Sequence, residues 1–224
     1  MLLEIEGLLD SALLQKIDQI LADAEFVDGK LTAGMAAQKV KNNQELKGSP
    51  KQMELLIRIL TSAMGQNGAF RSAVLPFRMA DPIFARYHSG MTYGDHVDDP
   101  IMGLSGQRFR SDISMTIFLR EPETYEGGEL VIRTTFGEKK VKLAAGSAVI
   151  YPSSSLHHVA EVTRGERLVA LAWIQSYVRD PARRELLFEL DQAREDLLIN
   201  RPEESTTGLV DKSYANLLRM WSDV

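Results

Sequence analysis

Hydrophobic residues recur every three or four positions near both ends of the chain, which is the spacing of amphipathic helices. Near the N-terminus, a short apolar stretch is followed by Asp10 and Ser11, which can cap a helix. The pair Asp28-Gly29 then predicts a turn. We therefore expect a short strand followed by a helix whose apolar positions are Leu13, Leu14, Ile17, Ile20, Leu21 and Ala24.

A second helix is predicted to begin at Ser49-Pro50, where a capping hydroxyl precedes a proline in the first helical position. Gly65 is expected to end it. Helical spacing returns after Asp180-Pro181, in two stretches that a polar connector separates. These three pieces are "ARRELLFELDQAREDLLI", "NRPEESTTG" and "SYANLLRMWSDV". The helices are expected to pack against one face of whatever lies between them.

The middle of the chain has a different period. From about Pro82, short β-branched or aromatic runs are separated by Gly, Pro and Ser clusters, which is typical of a sandwich or barrel of several strands. The runs are "PIFARYHSG", "SDISMTIFLRE", "GGELVIRTTFGEKKVKLAAGSAVIYP" and "GERLVALAWIQSYV". We expect a helical and β support region at 1–79, a β core at 80–178 and a helical extension at 179–224.

Composition narrows the function. With 224 residues, the chain can bury a substantial core in one catalytic unit, and its formal net charge of -5 offers no basic surface for nucleic acid. The sequence has no cysteine, so any metal must bind nitrogen and oxygen ligands. The acidic N-terminal stretch is unlike a signal peptide, and no uninterrupted apolar run is long enough to span a membrane. We expect a cytoplasmic protein that binds neither nucleic acid nor membranes.

Candidate metal ligands lie in two separated stretches. In "HSGMTYGDHVDDP", His96 and Asp98 are two residues apart, so on an extended strand both side chains point to the same side. Such a pair is common by composition and means little alone. Much later, His157 and His158 follow a predicted strand, and either could add a second imidazole. Two histidines and one carboxylate form a face that leaves three positions open on ferrous iron.

Arg167 stands ten residues after His157, at the head of another predicted strand. A guanidinium in a partly dry pocket can grip a carboxylate through two parallel hydrogen bonds. The joint pattern resembles the iron(II)- and 2-oxoglutarate-dependent dioxygenases of the prolyl 4-hydroxylase type. More narrowly, it is similar to the bacterial PKHD-type hydroxylases, a branch associated with iron-uptake loci. The narrower similarity is carried by "RYHSGMTYGDHVDDP", "YEGGEL", "YPSSSLHHV", "VTRGERL" and "WIQSYVRD".

The resemblance implies an α+β fold, in which a double-stranded β-helix (a jelly-roll, cupin-like core) carries flanking N- and C-terminal helices. It implies that the catalytic iron(II) ligands are His96, Asp98 and His157. In the family pattern the distal histidine precedes the basic residue by ten positions, and this spacing favours His157 over His158. Arg167 would then pair with the far carboxylate of the cosubstrate 2-oxoglutarate.

The resemblance also implies the reaction. Iron(II) would be held at the site, 2-oxoglutarate and O2 would be consumed, and ascorbate would act as a reductant. 2-Oxoglutarate would be decarboxylated to succinate and CO2. The product would be a hydroxylated, previously unactivated carbon. Asp98 occupies the position at which related halogenases bind a halide, so hydroxylation is favoured over chlorination. The substrate is either a protein side chain or a small molecule; nucleic-acid demethylases have a second arginine where Trp173 stands here.

Six further residues have less specific expectations. Tyr87 is either a hydrogen-bond donor to the cosubstrate or a core tyrosine, and Trp173 is either a pocket wall or core. His88 is expected to be structural and Arg164 to be an exposed loop charge. Met91-Thr92 is expected in a mobile loop over the entrance.

Other classes remain open from the sequence alone. A non-catalytic or isomerase-type metal-binding cupin, an iron-sensing protein and a zinc hydrolase would all use histidines and a carboxylate, but none of them needs Arg167 at its position. A simple interaction module is the least specific alternative. A homo-oligomer is also predicted, because leucines at helical spacing can pack on the β core or on a second subunit; they are Leu186, Leu187, Leu190, Leu197 and Leu198.

Overall fold

The computed structural model describes residues 1–35, 37–103 and 105–223. Within these ranges, the α-helices are α1 (Ser11–Leu21), α2 (Pro50–Gln66), α3 (Gly68–Val74), α4 (Pro181–Asn200) and α5 (Ser205–Trp221). The first strands are β1 (Leu3–Ile5), β2 (Phe26–Asp28), β3 (Lys41–Asn42), β4 (Gln44–Leu46), β5 (Pro76–Met79), β6 (Ile83–Tyr87), β7 (Thr92–His96), β8 (Ile101–Met102) and β9 (Phe109–Arg110). The remaining strands are β10 (Ile113–Phe118), β11 (Glu126–Gly127), β12 (Leu130–Thr134), β13 (Gly137–Val141), β14 (Ala148–Pro152), β15 (His157–Val159), β16 (Val162–Arg164) and β17 (Arg167–Ser176).

The N-terminal helices begin where the capping residues predict. The Asp10 carboxylate accepts a hydrogen bond from the Leu13 backbone N–H at 2.8 Å, and Ser49 caps α2 in a capping box with Pro50 in the first turn. The predicted end of α2 at Gly65 is wrong, because the helix continues to Gln66. Asn67 ends it and at once caps α3, a helix that the sequence did not predict.

The C-terminal helices form an antiparallel pair. Asp180 caps α4 as expected, with its carboxylate accepting from the backbone N–H of Ala182 at 2.8 Å. The polar connector is shorter than predicted, because α5 already begins at Ser205. The Thr207 hydroxyl donates to the backbone carbonyl of Arg201 at 2.6 Å and so anchors the first turn. Val224, the last residue of the predicted helix, lies outside the described residues.

Two antiparallel sheets form the β core. The larger sheet has the strand order β1-β14-β10-β17-β6-β4-β2, with β5 also pairing with β17. The smaller sheet has the order β13-β12-β15-β7-β3, and β11-β16 and β8-β9 form two further sheets of two short strands each. One buried cluster fills the space between the two sheets, and a second lies between the larger sheet and the N-terminal helices. The predicted jelly-roll core with flanking helices is confirmed.

Side chains of β17 contribute to both buried clusters, because successive side chains of a strand point to opposite faces of the sheet. One set packs against the helices, and the intervening set faces the smaller sheet. The helix-facing set is Leu168, Ala170, Ala172 and Ile174. The inward-facing set is Arg167, Val169, Leu171 and Trp173. An arginine and a tryptophan are therefore directed into the interior from opposite ends of one stretch of strand.

The N-terminal region contributes strands to both sheets. β3 pairs with β7 in the smaller sheet, and β4 pairs with β6 in the larger one. Asn43, between β3 and β4, lies where the chain passes from one sheet to the other and is buried. These strands are two and three residues long, which is too short for a visible alternation of polar and apolar positions. The division of the chain at 79/80 and 178/179 stays a prediction.

Candidate metal centre

The two predicted histidine ligands face each other across one strand pair. In the register of β7 with β15, His96 lies opposite His157, and their ring centroids are 4.2 Å apart. Asp98 follows β7 directly. Its Oδ1 lies 3.9 Å from His96 Nε2, and its Oδ2 lies 3.9 Å from His157 Nε2. One donor atom from each of the three residues lies within 4.8 Å of the others, so they can bind a single ion.

Backbone hydrogen bonds orient both imidazoles. His96 Nδ1 lies 2.8 Å from the carbonyl oxygen of Gly94, and His157 Nδ1 lies 2.9 Å from that of Ser155. Since a carbonyl only accepts, each Nδ1 carries the proton and each Nε2 keeps its lone pair for a metal. Burial, together with the nearby His157, lowers the pKa of His96 to about 4, so the ring is neutral near pH 7.

Aromatic stacking fixes the first ring further. The phenol of Tyr93 lies flat against His96, with centroids 3.7 Å apart and 10° between the planes. Tyr93 and His96 are three residues apart on β7. Lys41 of β3 pairs with Tyr93 and so holds this strand in place. The metal site thus depends on a strand from the N-terminal region as well as on the β core.

Two serines hold the Asp98 carboxylate. The Ser114 hydroxyl donates to Asp98 Oδ2, and the Ser153 hydroxyl lies 2.8 Å from Ser114 Oγ. Ser153 can therefore donate to Ser114 while Ser114 donates to Asp98 Oδ2. Asp98 Oδ1 accepts neither of these hydrogen bonds and stays available to a metal ion. The sequence interpretation missed these residues. The available signal was the alternation in "ISMTIF", where the polar Ser114 and Thr116 share one face of the strand.

Arg167 is buried in the interior with a relative exposure of 1%. Its guanidinium lies 5.0 Å from the ring centre of Tyr87 and 5.8 Å from that of Phe118. No group in the described ranges accepts a hydrogen bond from its Nε or Nη1. A buried cation with unpaired N–H groups is costly, and a bound carboxylate would satisfy both of them.

Tyr87 lies opposite Arg167 in the register of β6 with β17. Its hydroxyl oxygen accepts a hydrogen bond of 3.0 Å from Asn43 Nδ2. Burial raises the pKa of Tyr87, so the group stays a neutral hydroxyl that can still donate its own hydrogen. The side chain is both part of the core between the sheets and part of a cavity wall, so the two expectations for it are not exclusive.

A cavity of about 380 Å³ joins these groups. Its wall includes the three metal-binding candidates, Tyr87 and Arg167, together with the partly buried Trp173. The Trp173 indole N–H finds no acceptor within the described part of the chain. Trp173 lies opposite Ser114 in the register of β10 with β17, which places it at the end of the cavity near Asp98 and away from Arg167. The expectation of a pocket wall is confirmed for Trp173.

His158, His88 and Arg164 lie away from the cavity. His158 Nδ1 lies 3.0 Å from Asp95 Oδ1 on the outer side of the smaller sheet, as its position next to His157 predicts. His88 is at the surface, 3.8 Å from a carboxylate oxygen of Glu166. Arg164 is exposed, as expected, and pairs with a surface glutamate. None of the three lines the cavity described above.

The expectation of a mobile loop at Met91-Thr92 is wrong. Thr92 begins β7, and its hydroxyl donates to the Val159 carbonyl at 2.8 Å. Met91 packs against the buried cluster between the sheets, and its backbone N–H donates to the His88 carbonyl at 3.0 Å. A tight turn therefore leads directly into the strand at this point.

The residues present fit an iron ion and a dicarboxylate. Two imidazoles and one carboxylate are the donor set that non-haem iron(II) oxygenases use, with positions left open for other ligands. The unpaired guanidinium of Arg167 supplies the second anchor, in the same cavity. A zinc hydrolase would have no use for such a buried arginine.

Comparison with known proteins agrees with this geometry. Residues 82–175 match the family model of the 2OG-Fe(II) oxygenase superfamily, and residues 181–223 match that of the PKHD-type hydroxylase C-terminal domain. A PKHD-type hydroxylase of Thioalkalivibrio sulfidiphilus is 51% identical over 224 residues, covering 100% of both chains. Another from Synechococcus elongatus is 45% identical over 223 residues, again covering 100% of both chains.

Among solved structures, a Pseudomonas putida prolyl-4-hydroxylase is similar in fold, with a TM-score of 0.51, 21% identity and coverage of 78% of this chain and 92% of that one. These findings define a 2-oxoglutarate- and iron(II)-dependent oxygenase. Within that class, the chain belongs to the PKHD-type hydroxylases. Enzymes of this class use iron(II), 2-oxoglutarate and O2, so the alternatives of a non-catalytic cupin and an interaction module are set aside.

No helix in the described ranges is long and apolar enough to cross a membrane.

Proposed function

We propose that this chain hydroxylates an unactivated carbon of its substrate and couples that step to decarboxylation of 2-oxoglutarate to succinate and CO2. The observation that supports this most directly is the single cavity that contains both the three metal-binding side chains and the unpaired Arg167 guanidinium. When bound, iron(II), 2-oxoglutarate and O2 supply the oxidising power.

The chain's own residues would hold and orient these groups. His96, Asp98 and His157 would bind iron(II) from one side only, so that the opposite side stays open toward the cavity. Arg167 would pair with the far carboxylate of 2-oxoglutarate through its Nε and Nη1 hydrogens. Phe118 and Tyr87 flank that guanidinium and exclude water from the ion pair, which strengthens it.

The reaction is tested by succinate release from 2-oxoglutarate in the presence of ferrous iron. Asp98→Ala removes the carboxylate ligand, so its succinate yield should fall to the level of an enzyme-free control. Asp81→Ala is the matched control, since Asp81 is exposed and lies outside both the ligand set and the cavity wall. Equal yields from Asp98→Ala and the unchanged chain would contradict the proposal.

The substrate is proposed to be a protein side chain or a small molecule, and not a nucleic acid. The net charge of -5 and the presence of Trp173 instead of an arginine near the metal end of the cavity support the exclusion of nucleic acid. Cell extract incubated with the enzyme, iron and 2-oxoglutarate should yield a product heavier by one oxygen atom in mass spectrometry, and its identity would separate the two classes.

Three further properties belong to the proposal. The link to iron uptake is supported by the resemblance to PKHD-type hydroxylases and is tested by whether expression rises when iron is withheld. A cytoplasmic location is supported by the need for ferrous iron and 2-oxoglutarate, which that compartment supplies. Ascorbate as a reductant is tested by whether it prolongs turnover.

We also propose a homo-oligomer. Leu187 is fully buried in the cluster that joins α4 to α5, but Leu186 is 57% exposed and Leu198 is 39% exposed on the outside of α4. Exposed apolar side chains on one helix pair are available to a second subunit. Light scattering coupled to size exclusion tests this, and a mass of 25.0 kDa would contradict it.

A further inference from the structure

Asn43 is a buried polar residue that belongs to neither the metal-binding cluster nor the Arg167 site. It lies at the point where the chain passes from the smaller sheet to the larger one, with a relative exposure of 3%, and it lines the cavity. It also lies outside the stretch 82–175 that matches the oxygenase family model. Its only side-chain hydrogen bond in the described ranges goes to Tyr87.

The direction of that hydrogen bond decides what Tyr87 can do. Asn43 Nδ2 is a donor only, so the Tyr87 oxygen must accept, and the phenolic hydrogen stays available. A hydroxyl that accepts one hydrogen bond donates more strongly in turn. Tyr87 lies opposite Arg167 on the neighbouring strand, in the wall of the same cavity. Its hydrogen can therefore reach an anion that Arg167 binds.

The amide of Asn43 lies between Gly29 and Tyr87. A methyl group placed on Gly29 would lie 2.0 Å from Asn43 Oδ1 and 3.1 Å from Lys41 Cε. The amide oxygen thus faces Gly29, and the amide nitrogen faces Tyr87. Gly29 donates its backbone N–H to the Asn43 carbonyl at 3.0 Å and holds the backbone in place.

We propose that Asn43 is a positioning residue that turns the Tyr87 hydroxyl into a hydrogen-bond donor for the 2-oxoglutarate carboxylate beside Arg167. The inference rests on the proposed function, because it needs 2-oxoglutarate to bind there. Asn43 acts only through Tyr87, without touching the cosubstrate. The N-terminal region therefore contributes to cosubstrate affinity through one amide group.

A double-mutant cycle on cosubstrate binding tests the proposal. Ferrous iron and then 2-oxoglutarate are added without oxygen, and the visible charge-transfer absorption of the iron–cosubstrate complex gives the dissociation constant. Asn43→Ala should weaken 2-oxoglutarate binding about 3- to 10-fold, and Tyr87→Phe should weaken it by at least as much. Asn43→Ala combined with Tyr87→Phe should bind no more weakly than Tyr87→Phe alone, because the hydrogen that Asn43 controls is already gone.

Two controls separate positioning from folding. Asn43→Asp keeps the shape of the side chain but cannot donate when ionised, so it should also weaken cosubstrate binding, while the iron affinity measured without 2-oxoglutarate stays unchanged. Asn42→Ala is the matched neighbour, since Asn42 is exposed and its amide donates to the Gly90 carbonyl at 3.1 Å. It should bind 2-oxoglutarate like the unchanged chain.

The outcomes are distinguishable. If the unchanged chain binds no 2-oxoglutarate, the proposed function fails, and this inference fails with it. If the unchanged chain binds 2-oxoglutarate and Tyr87→Phe weakens it, but Asn43→Asp binds normally, only the inference is overturned. Additive losses from Asn43→Ala and Tyr87→Phe would overturn it as well, because they would show that the two residues act separately.

Discussion

His96 and His157 lie opposite each other on neighbouring antiparallel strands, and their ring centroids are 4.2 Å apart. This cross-strand pair joins two histidines that are distant in sequence, and the strand pairing alone determines their spacing. The adjacent His158 belongs to the same strand but points outward to Asp95. The structure thus assigns different surroundings to two consecutive identical side chains, and this difference can be tested directly.

His157→Ala should remove metal binding, and His158→Ala should leave it intact. The first change deletes an Nε2 donor in the three-residue cluster, whereas the second removes a surface contact. Titration of each metal-free variant with cobalt(II), followed by the visible absorption of the bound ion, measures both affinities. Equal affinities in the two variants would contradict the assignment of His157.

Ser114→Ala should weaken metal binding about 10- to 100-fold, which is the range for loss of a partner that orients a metal ligand. The expected cause is the lost hydrogen bond to Asp98 Oδ2, which leaves the carboxylate free to rotate. Ser62→Ala on the exposed face of α2 is the matched control and should bind metal normally. Unchanged cobalt(II) affinity in Ser114→Ala would show that the carboxylate is held by other contacts.

Arg167→Met should weaken 2-oxoglutarate binding by at least about 100-fold, since two charge-assisted hydrogen bonds are lost together. The same change should not lower the thermal stability of the cosubstrate-free chain, because it removes a buried cation whose Nε and Nη1 have no acceptor in the described ranges. Anaerobic titration gives the affinity and calorimetry gives the stability. Arg164→Met, at an exposed position, is the control. A large loss of stability in Arg167→Met alone would indicate that Arg167 has a structural role.

The metal-free chain should lose stability as the pH falls from about 6.5 to about 4. Burial lowers the pKa of His96 from its ordinary value of 6.5 to about 4. Between these values the unfolded chain binds a proton that the folded chain excludes, so the free energy of unfolding decreases with falling pH. Urea unfolding at several pH values measures this. The slope should be smaller in His96→Asn, and identical slopes would contradict the lowered pKa.

The sequence predicted those parts of the site that depend on spacing within a strand. His96 with Asp98, and Arg167 at the head of β17, follow from alternation and from the motif around them, and the structure brings all of them to one cavity. The helix starts at Asp10, Ser49 and Asp180 were predicted for a similar reason, since capping is a local interaction.

The missed features depend on pairing between distant segments. Asn43 and Ser114 acquire their roles only when β4 pairs with β6 and when β10 lies beside β14, and neither pairing has a local signature in the sequence. The short helix α3 was missed because Asn67 both ends one helix and begins the next. Met91-Thr92 was assigned to a loop because its neighbours are polar or small, although strand pairing orders it.

A crystal structure with manganese(II) and 2-oxoglutarate, grown without oxygen, would show whether one metal ion and one cosubstrate share the cavity. We expect one anomalous peak at bonding distance from His96 Nε2, His157 Nε2 and an Asp98 carboxylate oxygen, with the far carboxylate of 2-oxoglutarate hydrogen-bonded to Arg167. A metal bound away from these three side chains, or a cosubstrate that does not contact Arg167, would contradict this expectation.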